Sequence, residues 1–218
     1  MSFHFDQVAL EYDAYYATEY GKEVDRLEKR LVEKLLDGIE AGQVLEVGCG
    51  TGHWTEFLAG KGYRVLALDS SAKMLDVARA RNLPGCEFLC ASAEAIPLPD
   101  HSVDLVVAIA VFEFIENHNL ALAEVHRVLK PGGYFLLGAI NEHSAVGRQK
   151  HNDPILQHGR LFTTDYLAEL LCNFGEPRLE GCVFIRETGM PEDERPETHP
   201  EDLLQRGAFI AGIAKKIH

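Results

Sequence analysis

The stretch VLEVGCGTGHW, residues 44–54, decides the fold. Residues 44–47 read as a short buried strand. Gly48, Gly50 and Gly52 follow, and an apolar helix is expected over 54–59, closed by Gly60 and Gly62. A strand, a glycine turn and a helix make the first unit of a parallel sheet that takes its ligand at the strand ends. The glycine spacing is G-x-G-x-G. A dinucleotide fingerprint, G-x-G-x-x-G, would place its third glycine at His53, and a P-loop would need a Gly-Lys-Ser/Thr ending that is absent here. Charge separates the ligands further. A pyrophosphate favours helix-terminal N–H groups and positive charge, so Glu46 at the strand end would repel it. The same carboxylate suits a ligand bearing an ammonium or a sulfonium.

Outward from this turn, an amphipathic helix is expected over 23–36, with Val24, Leu27, Leu31, Leu35 and Leu36 at helical spacing and Gly38 and Gly42 beyond it. Further strands are expected at 63–68, 87–90, 104–110 and 134–140. A helix capped by Ser70 or Ser71 runs through Arg81. Others are expected over 120–129, stopped by Pro131-Gly132-Gly133, and over 163–174, capped by Thr163 or Thr164. Two late strands, 182–187 and 208–214, have no helix of normal length between them and could pair as an antiparallel hairpin at the sheet edge. The segment 190–200, MPEDERPETHP, reads as a loop. Apolar strands alternating with helices predict an α/β fold, a parallel sheet covered on both faces.

The chain has 218 residues, with 46% hydrophobic and 25% charged, enough for one domain with a full core. A net charge of −13 argues against a nucleic-acid partner, because such binding rests on clustered Lys and Arg. The start of the chain has no basic-then-apolar signal pattern. The most apolar stretch, 103–115, carries Asp104 and Glu113 and falls short of the roughly 20 residues that span a bilayer. Cys49, Cys86, Cys90, Cys172 and Cys182 show no zinc-like spacing and are expected to be reduced thiols of a cytoplasmic protein.

Four motifs in order, VLEVGCGTG, VLALDSSAKMLDVAR, CASAEAIPLPDHSVDLVVAIAVFEFIEN and LKPGGYFLLGAI, resemble the class I S-adenosylmethionine-dependent methyltransferases, most of all the small ubiquinone/menaquinone-biosynthesis type. FDQVALEYDAYYATEYG before the core and RLFTTDYLAELLCNFG after the fifth strand extend the resemblance over nearly the whole chain. It implies a single Rossmann-like domain over 1–218, with a doubly wound, mostly parallel seven-stranded sheet and an antiparallel edge strand. Residues 1–40 would form a helical cap, 41–140 the cofactor core, and 141–218 the substrate side with the terminal strands. S-adenosylmethionine is the implied cofactor, and its sulfonium and ammonium match the charge argument at Glu46. The resemblance places Glu46 near the cofactor's amino group, directly or through water. It places Gly48, Cys49, Gly50 and Gly52 along the methionyl part, Asp69 on the ribose with Ser70 beside it, and Met74 against adenine. Ser92, Ala93 and Glu94 would lie along the adenine edge, and Ile109 and Ala110 near the methionyl moiety. Many relatives have Asp where this chain has Ser92, a weaker acceptor for the adenine amino group.

The acceptor is harder to read. Methyl transfer from a sulfonium is an in-line displacement, and a general base is needed only when the acceptor arrives protonated. Glu113 is the first candidate; the other reading makes it a solvated carboxylate at a helix start. Relatives often read Glu-His there, where this chain has Phe114. The segment 141–162 carries His143, His151 and His158 and in the family forms part of the substrate wall; His143 is its candidate base. The long intervals between these imidazoles lead us to expect no metal. Phe3, Phe5, Tyr12, Tyr15, Tyr16 and Tyr20 cluster before the first helix. In relatives this segment folds over the cofactor, so Tyr12 and Tyr20 are candidate contacts, through cation–π attraction of roughly 0.5–2 kcal/mol or by packing on the core. The expectation is methyl transfer to a small-molecule acceptor by a monomer or homodimer. The alternative is a non-catalytic or regulatory protein that binds S-adenosylmethionine, and a nucleotide-dependent oxidoreductase is disfavoured by His53 and Glu46.

Overall fold

The computed structural model describes residues 3–40, 42–185, 189–192 and 200–217. In chain order the elements are α1 (Ala14–Ala17), α2 (Glu19–Leu36), β1 (Gln43–Val47), α3 (His53–Gly60), β2 (Arg64–Asp69), α4 (Ala72–Ala80), β3 (Cys86–Cys90), β4 (Val103–Ile109), α5 (His118–Val128), β5 (Leu129–Ile140), α6 (Ala145–Arg148), α7 (Thr164–Cys172), β6 (Arg178–Cys182), β7 (Phe184–Ile185), β8 (Pro191–Glu192), α8 (Pro200–Arg206) and β9 (Phe209–Lys215). The main sheet has seven strands in the order β3-β2-β1-β4-β5-β9-β6. β1 pairs in parallel with both β2 and β4, so the strand order reverses there, and ligands of such sheets bind outside the strand ends at that point. The α/β, mostly parallel sheet read from the sequence is the one observed. Its antiparallel strand, β9, lies between β5 and β6 at that end of the sheet.

Strand alternation distributes the core to both faces. Val44, Val65, Leu105, Val107 and Leu136 meet Leu27, Leu31 and Leu35 of α2, Leu58 of α3 and Leu75 of α4 on one side. Leu45, Val106, Phe135 and Leu137 meet Ala121 and Val125 of α5 and Leu167 and Leu171 of α7 on the other. Side-chain caps fix where the helices start. Thr18 accepts from Gly21 N, Ser71 from Met74 N, and Thr163 from Tyr166 N. Of the two cap candidates in each pair, Ser71 and Thr163 are the caps.

Two expectations are corrected. The helix before Pro131 ends at Val128, and β5 already begins at Leu129, running through Pro131, Gly132 and Gly133. That is possible because Gly132 adopts φ +77°, and the pairing of β4 with β5 shifts register between Val103 and Leu105. The late strand expected over 182–187 is instead β6, which lies earlier, and the short β7, which pairs with β8. Val183 sits at φ +64° between them, a conformation that no continuous strand tolerates. Arg186 and Glu187, like residues 193–199 of the expected loop, lie outside the described residues. The connection before β9, which the sequence reads as holding no helix of normal length, contains the seven-residue α8. Among the described residues, no helix is long and apolar enough to cross a membrane.

Candidate active site

The carboxyl ends of β1, β2, β4 and β5 open into a cavity of about 940 Å³. The glycine turn forms its floor. Gly48 N and Cys49 N both donate to Leu68 O at the end of β2, at 2.7 and 3.0 Å, which locks the turn to the neighbouring strand. Gly48 has φ +73°, and a Cβ there would run into Val111, so both the backbone and the space require glycine. Asp69 ties the turn from the other side. Its Oδ2 accepts from Gly50 N at 2.8 Å, and its Oδ1 accepts from Ser71 N at 2.8 Å. Burial raises the Asp69 carboxyl above its ordinary range, against the lowering effect of these bonds.

Most of the proposed cofactor residues line this one cavity: Gly48, Cys49, Gly50, Asp69, Ser70, Met74, Ser92, Ala93, Glu94, Ile109 and Ala110, together with Tyr12 and Tyr20. Two do not. Gly52 turns away at φ +83° to start α3, and a Cβ there would press on Ala78 Cβ at 3.1 Å, so this glycine serves the approach of α3 to α4. Glu46 is set just behind the wall formed by Val47 and Gly48 and is only 3% exposed. Its Oε2 accepts from Thr55 Oγ1 at 2.6 Å, while Oε1 makes no hydrogen bond among the described residues. Burial pushes the Glu46 carboxyl up to about 8, the Thr55 bond opposes this, and the Asp69 charge adds to it.

The N-terminal segment closes the cavity from above and is latched at several points. Asp13 accepts from Thr51 Oγ1 at 2.6 Å and from Arg81 Nη2 at 2.5 Å. Asp6 accepts from Ser71 Oγ at 2.5 Å. Tyr16 stacks on His53 with ring centroids 3.8 Å apart and planes 6° apart, and His53 Nε2 lies 2.6 Å from Asp25 Oδ1. The residue that stands where a dinucleotide loop would have glycine therefore anchors the cap over the turn.

Neither of the two candidate bases, Glu113 and His143, lines the cavity. Glu113 lies in the 3-10 turn Phe112–Phe114 and is 3% exposed, not solvated. Its Oε1 accepts from Ile140 N at 2.8 Å, holding the tip of β5, and its Oε2 is buried without a hydrogen-bond partner among the described residues. Burial raises its carboxyl to about 7, opposed by the Ile140 bond. His143 is exposed in a tight turn, where its N–H donates to Asn141 Oδ1. The segment 141–162 does wall the cavity, through Val146, Asp153, Pro154, Ile155 and Leu156; none of its three imidazoles does so. His158 instead lies against Phe3, with centroids 5.2 Å apart. His118 is the first residue of α5. It packs inside, 2.7 Å from Tyr166 Oη and 2.7 Å from Phe112 O.

Sequence reasoning missed Glu28. It lines the cavity from α2, makes no hydrogen bond or ion pair with another described residue, and is raised to about 8 by burial and then by the Asp25 charge. Its position one residue past Leu27 and three before Leu31, at the rim of the apolar stripe, was the available signal.

Three carboxyls held protonated near neutral pH have a consequence for stability. Glu28, Glu46 and Glu113 have folded-state values above the unfolded 4.5, so the folded state binds more protons than the unfolded one up to about pH 8. Their contribution is present at low pH and is lost as pH rises through the folded values. Burial lowers His118, which opposes the trend, but only below its unfolded 6.5. The melting temperature of the ligand-free protein is therefore expected to fall between pH 7 and 8.5 in a calorimetric scan. A rise over that interval would contradict the assigned burial.

Residues 45–137 match the family model described as a methyltransferase domain. A malonyl-[acyl-carrier protein] O-methyltransferase of Yersinia pestis is 35% identical over 153 residues, which are 65% of this chain and 57% of the relative. The chain thus spans somewhat over half the length of that curated relative. An uncharacterized protein of Methanocaldococcus jannaschii is 27% identical over 217 residues, 98% of each chain. Among solved structures, a Thermotoga maritima S-adenosylmethionine-dependent methyltransferase described as a possible histamine N-methyltransferase superposes with a TM-score of 0.76, at 24% identity, over 97% of this chain and 98% of that one. Within the chain, residues 45–137 thus match a methyltransferase domain, and the chain as a whole shares the fold of the solved S-adenosylmethionine-dependent methyltransferase. S-adenosylmethionine is the cofactor that this domain and fold imply, as the sequence motifs had indicated.

Proposed function

We propose that this chain transfers a methyl group from S-adenosylmethionine to a small-molecule acceptor by in-line displacement. The observation that carries the reading is the single cavity at the switch in strand order. It gathers the glycine turn, Asp69, Met74 and residues 92–94 on one side and an aromatic cap on the other. The cofactor supplies a methyl on a positively charged sulfur that leaves as a neutral thioether. Asp69 would accept from the ribose hydroxyls, Met74 would pack on adenine, and Glu46, with Oε1 unengaged, would balance the ammonium. The latched cap excludes water and fixes the acceptor's approach, the main source of acceleration in such a displacement. In this reading residues 1–40 are the cap, 41–140 hold the cofactor and 141–218 complete the acceptor side of one domain. No observation favours the non-catalytic reading: Phe114, the departure that motivated it, lines the cavity and packs edge-on to Phe5, with centroids 5.0 Å apart.

The test is incubation with methyl-tritiated S-adenosylmethionine and a small-metabolite extract. Label is expected in a product of low molecular mass. Tight binding of S-adenosylhomocysteine without transfer to any acceptor would favour the binding protein instead.

A further inference from the structure

The lining of the cavity has an unbalanced charge. Carboxylates enter it from the cap (Asp6, Glu11), from α2 (Glu28), from β2 (Asp69), and from the loops after β3, β4 and β5 (Glu94, Glu116, Asp153). Among the described residues no lysine or arginine lines it. The proposed cofactor accounts for Asp69, and Glu94 is engaged with Asn117 N at 2.8 Å. Asp6 and Asp153 accept hydrogen bonds as well, Glu11 and Glu116 are exposed, and Glu28 is left half-buried with no hydrogen-bond or ion-pair partner among the described residues. It enters from α2, whose neighbouring Asp25 and Lys29 both lie within hydrogen-bond distance of His53 of α3. Around it stand Tyr12, Tyr15, Tyr16 and Tyr20 from the cap and α2. Asp25 and Lys29 of its own helix and Glu113 of the turn after β4 are the other charged groups that reach it. Lys29 is already committed to Asp25 at 2.9 Å.

Resting on the function proposed above, we infer that the acceptor is a small amine on an apolar body, and that Glu28 is the catalytic residue that binds its ammonium and takes its proton. An unpartnered carboxylate among aromatic faces matches an alkylammonium on two counts, ion pairing and cation–π attraction. Among the described residues a carboxylate acceptor would find no lysine or arginine in this lining, in contrast to what the names of the malonyl O-methyltransferase relatives would suggest. The ammonium proton passes to a Glu28 oxygen. The freed nitrogen lone pair forms the N–C bond to the methyl carbon while the C–S bond breaks, its electron pair staying on sulfur. The proton on Glu28 is then lost to water. Burial pushes Glu28 up to about 8 and an adjacent ammonium favours its ionised form, so it can both accept and release that proton close to neutral pH.

The test offers the wild-type protein and Glu28→Gln two panels, with methyl-tritiated S-adenosylmethionine as donor: phenethylamine, tyramine and tryptamine, and the matching acids phenylacetate and indoleacetate. Label is expected in at least one amine and in neither acid. Amine turnover is expected to drop at least about 100-fold in Glu28→Gln and to recover in part in Glu28→Asp. S-adenosylhomocysteine affinity, measured by calorimetry, is expected to be equal in wild type and both variants, which also shows that they fold. Label in an acid, no label in any amine, or unchanged amine turnover in Glu28→Gln overturns the inference while leaving adenosyl binding intact. Absence of adenosyl binding in the wild type overturns the proposed function and this inference with it.

Discussion

Asp69→Ala is expected to weaken S-adenosylhomocysteine binding by at least about 100-fold, because two hydrogen bonds from ribose hydroxyls to a charged acceptor are lost at about 1.5–3 kcal/mol each. The residue has a second duty that adds to the loss. Its oxygens hold Gly50 N and Ser71 N, so the alanine variant also frees the glycine turn and the entry to α4. Asp69→Asn separates the two effects: its amide oxygen keeps one backbone acceptor, but the charge is gone. Calorimetric titration reads the affinity, and circular dichroism shows whether the variant is folded. Unchanged affinity in a folded Asp69→Ala protein would mean that the ribose lies elsewhere.

The second large effect concerns Glu46. Burial pushes its carboxyl up to about 8, so without a ligand cation beside it the protonated form is favoured at pH 7. A ligand ammonium favours the ionised form, so binding should expel a proton at pH 7, and affinity should rise as pH increases toward 8. Glu46→Gln keeps the shape and the Thr55 contact but cannot ionise. It is expected to bind S-adenosylhomocysteine about 10- to 100-fold more weakly at pH 8 and to lose the proton release. The check is titration at pH 7 in two buffers of different ionisation enthalpy: apparent heats should differ for wild type and converge for Glu46→Gln. Equal proton release in both would place the ammonium away from Glu46.

The parallel core was legible in the sequence because buried strands are nearly unbroken apolar runs, and 44–47 and 104–110 are of that kind. The glycine turn was legible because its spacing excluded pyrophosphate loops. What escaped reading depends on backbone exceptions and tertiary direction. The break at Val183 has no composition signal, since a β-branched residue at positive φ is rarely adopted. Gly48 and Gly52 look alike in sequence, yet one faces the cavity and the other faces α4, a difference set by where the turn sends the chain. Glu113 looked exposed because it is charged; it is buried, and its oxygen accepts from Ile140 N, 27 positions away. Glu28 looked like one more polar residue on an amphipathic helix. Only the folded structure shows that it lines the cavity from α2. The imidazoles of 141–162 were prominent by type, but the segment turns apolar groups inward.

The central claim is that the turn at 48–52 and Asp69 hold an adenosyl amino-acid cofactor and not a dinucleotide. Calorimetric titration of the wild-type protein with S-adenosylmethionine, S-adenosylhomocysteine and NAD tests it most directly. One equivalent of each adenosyl ligand should bind, and NAD should give no heat. Binding of NAD, or absence of binding by both adenosyl ligands, would contradict it.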